Sequence, residues 1–208
     1  MTRTKKSALA LTAAALATLA VSGCGMSGSS HNAAGSSPSA SYGPAATGAH
    51  NAQDETFLTD MIPHHAQAVE MADMVLSHGA DAELTALATQ IKAAQAPELA
   101  QMSGWLVGWG KSVPSTGGGH SMSGTSGHDG SGMMSADEMT QLDAASGTQF
   151  AKLFLTGMTK HHEGAVAMAK TELADGQNAE AKTLASNIIA AQDKEIATMT
   201  ALLAKLNG

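Results

Sequence analysis

The chain has 208 residues, with 18 acidic against 11 basic side chains and a formal net charge of −7. It carries no basic patch interleaved with aromatics, so nucleic-acid binding through phosphates is excluded. Aromatic residues make up 3 % and Ala, Leu and Met supply the apolar mass, which suits helices better than strands, while the lone Cys24 excludes a disulfide framework.

Arg3, Lys5 and Lys6 precede an apolar stretch of 14 residues, Ala8 to Val21. That is shorter than the roughly 20 residues a membrane-spanning helix needs, and it reads as a targeting segment. Val21-Ser22-Gly23-Cys24 resembles the lipobox of bacterial lipoprotein signals. The resemblance implies a signal peptide over 1–23, cleavage before Cys24 and a lipid on its sulfur. The expected product is tethered to the bacterial membrane outside the cytoplasm, at the cell surface or in the periplasm, with no thiol left for a thiolate metal site. Loss of the three basic residues leaves 8 against 18 acids. Residues 24–50, rich in Gly, Ser, Ala and Pro, read as a flexible stalk.

Residues 51–109 have helical periodicity: Phe57, Met61, Ala68, Val69, Ala72 and Leu76 recur at three- and four-residue steps. Gly79 stands where a C-terminal cap is expected and Asp81 where the next helix starts, so the segment predicts a helical hairpin. Pro63 and Pro97 fall inside these helical patterns. Pro63 predicts either a bend just before His64 or a helix that begins there.

Residues 110–135 form a Gly/Ser-rich linker that carries His120, Met122, His128, Met133 and Met134. Such a tract is expected to be disordered, and its His and Met residues form an auxiliary set for capturing loosely held metal.

Residues 136–208 repeat the first hairpin. Ser135 with Glu138 has the form of a capping box opening the third helix. FLTDMIPHHAQAVEMA at 57–72 returns as FLTGMTKHHEGAVAMA at 154–169, and the ungapped match to Leu106 and Leu203 has 24 of 50 positions identical. Gly176 and Asn178 take the places of Gly79 and Asp81. Two repeated hairpins predict an all-α, four-helix bundle forming one domain.

The chemistry lies in the repeated motif. Adjacent helical residues point about 100° apart, so one imidazole of each His-His pair can face the bundle axis while its neighbour faces a helix interface. Met61, His64, His65 and Met71 in the first copy are matched by Met158, His161, His162 and Met168 in the second. Thioether sulfur with neutral imidazole favours Cu(I), and Ag(I) by the same softness. Carboxylates are not at matched positions: Asp60 aligns with Gly157, Glu70 with Ala167 and Glu163 with Ala66. Methionine at helical spacing is often core filler, but two buried histidines in one layer leave polar nitrogens to satisfy. Ligation by neutral imidazole also predicts an affinity that falls as pH drops through about 6.5.

The first motif, Phe57-Leu58-x-x-Met61-Ile62-Pro63-His64-His65-x-x-Ala68-Val69-x-Met71-Ala72, resembles the hallmark of the ferritin-like bacterial family called domain of unknown function three hundred and five. Met158-x-x-His161-His162-x-Gly164-Ala165-Val166-x-Met168-Ala169 is similar to its second hallmark. The likeness covers 51–207. It implies a ferritin-like bundle and, through members of the CopM type, a copper-binding protein associated with Cu(I) and silver handling and with copper tolerance. On that reading Met61, His64, His65, Met71, Met158, His161, His162 and Met168 are the ligands. The protein sequesters Cu(I) or exchanges it with a donor or acceptor protein, and no organic cofactor is involved.

No catalysis is expected, because nothing pairs a nucleophile with a base. A ferritin-like di-iron enzyme would need Glu-x-x-His on two helices, and no glutamate here has a histidine three residues later. His162-Glu163 is followed by Val166 where a zinc-hydrolase motif needs its second histidine. The main alternative is a structural or interaction lipoprotein that binds no metal.

Overall fold

In the computed structural model, residues 46–116 and 131–208 are described. The signal peptide, Cys24, most of the stalk, and His120, Met122 and His128 lie outside them. Among the described residues there are five helices and no strand: α1 (Ala52–His78), α2 (Ala82–Gly108), α3 (Ala136–Ala144), α4 (Gly147–Asp175) and α5 (Ala179–Asn207). The four long helices form the expected all-α bundle of two hairpins.

Capping chemistry sets most boundaries. Asn51 caps α1 by accepting from the amides of Gln53 and Asp54, while the Asp54 carboxylate accepts from the Asn51 amide. Gly79 ends α1 in the left-handed region (φ 66°), and Asp81 and Asn178 cap α2 and α5 as predicted. Gly176 differs: its backbone is extended (φ −69°), so it closes α4 without the left-handed turn of its counterpart. The Ser135–Glu138 capping box is present but opens only the nine-residue α3. The repeat's long helix instead starts at Gly147.

The reading of Pro63 as a helix start does not survive. α1 begins at Ala52 and runs through Pro63, and α2 likewise runs through Pro97. Each proline withdraws one backbone donor from a helix whose buried face supplies far more stabilisation than that single bond.

The described parts of the supposedly flexible segments are docked. Ala46 packs on the core, Asn178 donates to the carbonyls of Thr47 and Ala49, and Val113 packs where the linker begins. His78 pins α3 to α1, with its ring nitrogens facing the carbonyls of Asp143 and Met74 at 2.8 Å each and its ring stacked on Phe150. Those carbonyls, Asp143 first, raise the His78 pKa because both can only accept.

The hairpins meet mainly through α1 and α4, while α2 and α5 scarcely touch. The two first helices cross so that the start of one lies against the end of the other. Phe57, Leu58, Met61 and Ile62 of α1 share a core with Ala165 and Ala169 of α4. At the opposite end, Ala68, Met71, Ala72 and Val75 of α1 share a second core with Phe150, Phe154, Leu155 and Met158 of α4. In sequence, both His-His pairs fall between the stretches that build these two cores.

Candidate metal centre

Between the two apolar cores the chain places a polar layer, drawn from all four long helices by the same repeat. α1 gives His64 and His65, α2 gives Gln95 and Glu98, α4 gives His161 and His162, and α5 gives Gln192 and Glu195. All four histidines are 0 % exposed, and Gln95, Gln192 and Glu195 are buried with them. Polar atoms removed from water on this scale destabilise a bundle unless something satisfies them.

The two residues of each pair play different parts. His64 and His161 face one another across the hairpin boundary, with ring centroids 3.7 Å apart and planes tilted by 40°. His65 turns to its own hairpin, where its Nε2 lies 2.8 Å from Glu98 Oε2. His162 does the same, with Nε2 2.8 Å from Glu195 Oε2. This is the division between axis and interface that helical geometry predicts.

Burial holds the facing pair neutral. Desolvation lowers the His64 pKa to about 3 despite the Ser131 carbonyl. Burial, with the neighbouring histidines, puts His161 well below the usual range. The expected proton competition near pH 6.5 is therefore corrected for these two rings, which stay unprotonated well below it. Neither nitrogen of His161 has a hydrogen-bond partner, nor does Nδ1 of His64, His65 or His162. Each neutral ring thus offers one lone pair in a layer closed to solvent, the condition a soft ion requires of imidazole donors.

The methionines divide. Met61 and Met158, one turn ahead of the histidines, are fully buried in the cores on either side of the layer. Met71 is buried in the far core, and Met168 is half-buried and packs against the near one. Among the described residues, no group of three His, Cys, Asp or Glu side chains is close enough to hold an ion by itself. Met134, grouped by sequence with the metal-capturing linker, packs against the core, its Sδ lying where a Cβ on Gly157 would come within 2.7 Å. Met133 is half-buried beside it.

Two features were missed in the sequence. Glu98 and Glu195 are identical residues at the repeat offset, so the statement that carboxylates are unmatched is wrong away from the motif. The second is a strap, residues 131–135, laid over the facing pair. Ser131 O accepts from His64 Nε2 at 2.9 Å, and Gln67 bonds both the N–H and the carbonyl of Met134 at 2.8 Å. Room for it comes from Gly164, where a Cβ would lie 1.7 Å from Ser131 O, and from Gly132, with φ +73° and a Cβ position 2.1 Å from Lys160 O. In the first copy Gln67 stands at the place of Gly164. The strap thus breaks the twofold symmetry, and the signal for it was that departure from the repeat.

An exposed Gly→Ala change inside a helix usually stabilises by about 1 kcal/mol. Gly164→Ala is expected to do the reverse, because the methyl displaces Ser131 and leaves His64 Nε2 without its acceptor. A lowered melting temperature with faster amide exchange over 131–135 is the expected outcome. Unchanged exchange there would refute the close approach.

Fold and layer together define a class of helical protein, a twice-repeated hairpin that closes on a dry histidine layer. The family described as Domain of unknown function (DUF305) matches residues 54–203, and the chain belongs to it. Comparison with curated proteins gave no match. Among solved structures, a DUF305 protein of Streptomyces coelicolor described as secreted is 34 % identical, with a TM-score of 0.66, covering 75 % of this chain and 94 % of that one. A DUF305 fragment from Deinococcus radiodurans is 30 % identical, with a TM-score of 0.65 and coverage of 78 % and 99 %. CopM in its Cu(I)-bound form is 28 % identical, with a TM-score of 0.61 and coverage of 74 % and 98 %. CopM is also known in Cu(II)-bound and Ag-bound forms.

Proposed function

We propose that this protein is an extracytoplasmic, lipid-anchored binder of Cu(I), and of Ag(I) by the same softness, that sequesters the ion or exchanges it with a partner protein. It contributes to copper tolerance and catalyses no reaction. The observation that carries this reading is the cross-hairpin contact of His64 with His161, two buried neutral rings with nitrogens that no described residue satisfies. Imidazole and thioether are the donors that soft monovalent copper prefers. His64 and His161 would hold the ion centrally, with Met61 and Met158 giving sulfur and His65 and His162 completing the layer. Because the facing rings come one from each copy, this arrangement favours one shared centre over one per repeat. The metal-bound forms of CopM support a soft-metal role for the fold, and the secreted Streptomyces coelicolor relative supports a place outside the cytoplasm.

Competition titration with a Cu(I) chelator, and direct titration with Ag(I), test the proposal. Changing His64, His65, His161 and His162 together to alanine is expected to weaken binding at least about 100-fold, since removing even outer-shell partners of a metal site costs 10–100-fold. Equal affinity in wild type and variant would leave the structural-lipoprotein reading in its place.

A further inference from the structure

A neutral imidazole carries one N–H and one lone pair, and whatever its protonated nitrogen meets decides which is which. Three histidines of the layer have that choice made for them. Nε2 of His65 and of His162 each meets a glutamate oxygen at 2.8 Å, and Nε2 of His64 meets the Ser131 carbonyl at 2.9 Å. An ionised carboxylate and a carbonyl can only accept, so the proton sits on Nε2 in all three. The lone pair is then at Nδ1, and in each ring Nδ1 is buried without a partner.

The glutamates are built in rather than incidental. They are matched by the repeat, they reach their histidines from the second helix of the same hairpin, and their side chains are only 21 % and 3 % exposed. Glu195 is further fixed by the amide of Gln90 at 3.4 Å. Metal-bound histidines are commonly held in this way, with the distant nitrogen donating to a carboxylate that fixes ring orientation and raises the basicity of the other.

We propose that Glu98 and Glu195 are positioning residues that lock His65 and His162 as Nδ1 donors, with the Ser131 carbonyl doing the same for His64, so that each of these rings offers Nδ1 rather than Nε2 to a soft metal ion. This rests on the metal-binding reading above.

The test uses the full chain with 15N-labelled histidine. Two-bond 15N–1H correlation spectra of the metal-free protein are expected to show His64, His65 and His162 as Nε2–H tautomers, and Ag(I) is expected to shift their Nδ1 resonances. Glu98→Leu with Glu195→Leu should produce mixed tautomers at His65 and His162 and weaken Ag(I) binding about 10–100-fold. Glu98→Gln with Glu195→Gln keeps an acceptor oxygen and should retain the tautomers and most of the affinity, which guards against a leucine variant that merely misfolds. Nδ1–H tautomers in the wild type, or Ag(I) shifts at Nε2, overturn the proposal. Unaltered affinity in the folded leucine variant overturns the positioning role alone, whereas no Ag(I) binding by the wild type removes the metal reading itself.

Discussion

Replacing both His64 and His161 by leucine is expected to raise the melting temperature of the metal-free protein while abolishing tight Ag(I) binding. The two rings are fully buried and leave three nitrogens without partners. An unsatisfied buried polar group costs about 1–3 kcal/mol, and exchange for an apolar side chain of similar size recovers much of it. The double variant gives up one hydrogen bond, from His64 to Ser131, worth about 1 kcal/mol. A net gain of about 2 kcal/mol raises the melting temperature by roughly 4–8 °C for a domain of this size. His78→Leu is the control, because both of its nitrogens are satisfied and its loss should destabilise. If the facing pair were structural, the double variant would melt below wild type, as the control should. Calorimetry with and without Ag(I) separates the cases: in wild type alone should silver raise the transition.

Stability is also expected to fall as pH rises from 6 to 9, through Glu172. Its carboxyl is 0 % exposed and faces Asp54, to which its proton is donated. Burial, reinforced by Asp54, pushes its pKa up to about 8 from an ordinary 4.5. Asp54 takes the ionised role. Burial alone would raise its pKa, but the amides of Asn51, Asn178 and Gln177 outweigh that and lower it. Because the folded value of Glu172 exceeds the unfolded one, its stabilising contribution is fully present below pH 4.5 and is lost as pH climbs to 8. From pH 6 to 9 the loss is about 2–3 kcal/mol, or roughly 5–10 °C in melting temperature.

His64 and His161 act in the opposite sense. Their folded values are depressed, so their contribution is complete above pH 6.5 and is lost as pH falls, that of His64 toward about 3. Metal-free protein should therefore be most stable between about pH 5 and 7, with Glu172 setting the alkaline limb. Glu172→Gln should flatten that limb and leave the acid limb unchanged. A wild-type melting temperature constant from pH 6 to 9 would refute the buried proton. The corresponding residue of the first copy is Val75, in the core, so the repeat itself gives no reason for a carboxyl here.

Much of the candidate site was legible in the chain. The repeat announced two hairpins, the His-His spacing announced one inward and one lateral ring, and Asp81 and Asn178 announced their helix starts. Glu98 and Glu195 were equally legible as matched residues, but they stand on the second helix of each hairpin, outside the repeated His-Met motif. Their importance depends on how α2 packs on α1, and spacing within one helix cannot report that.

The sequence by itself determined the helices, the faces they bury and the donors on those faces, since these follow from 3.6-residue periodicity and capping chemistry within each segment. Only the tertiary structure decided that His64 meets His161, that residues 131–135 lie across them in the space left by Gly164, and that Glu172 is sealed against Asp54. Periodicity fixes a side chain's angle about its own helix axis, but not which distant segment arrives there. That is settled by how two apolar surfaces, widely separated along the chain, fit together.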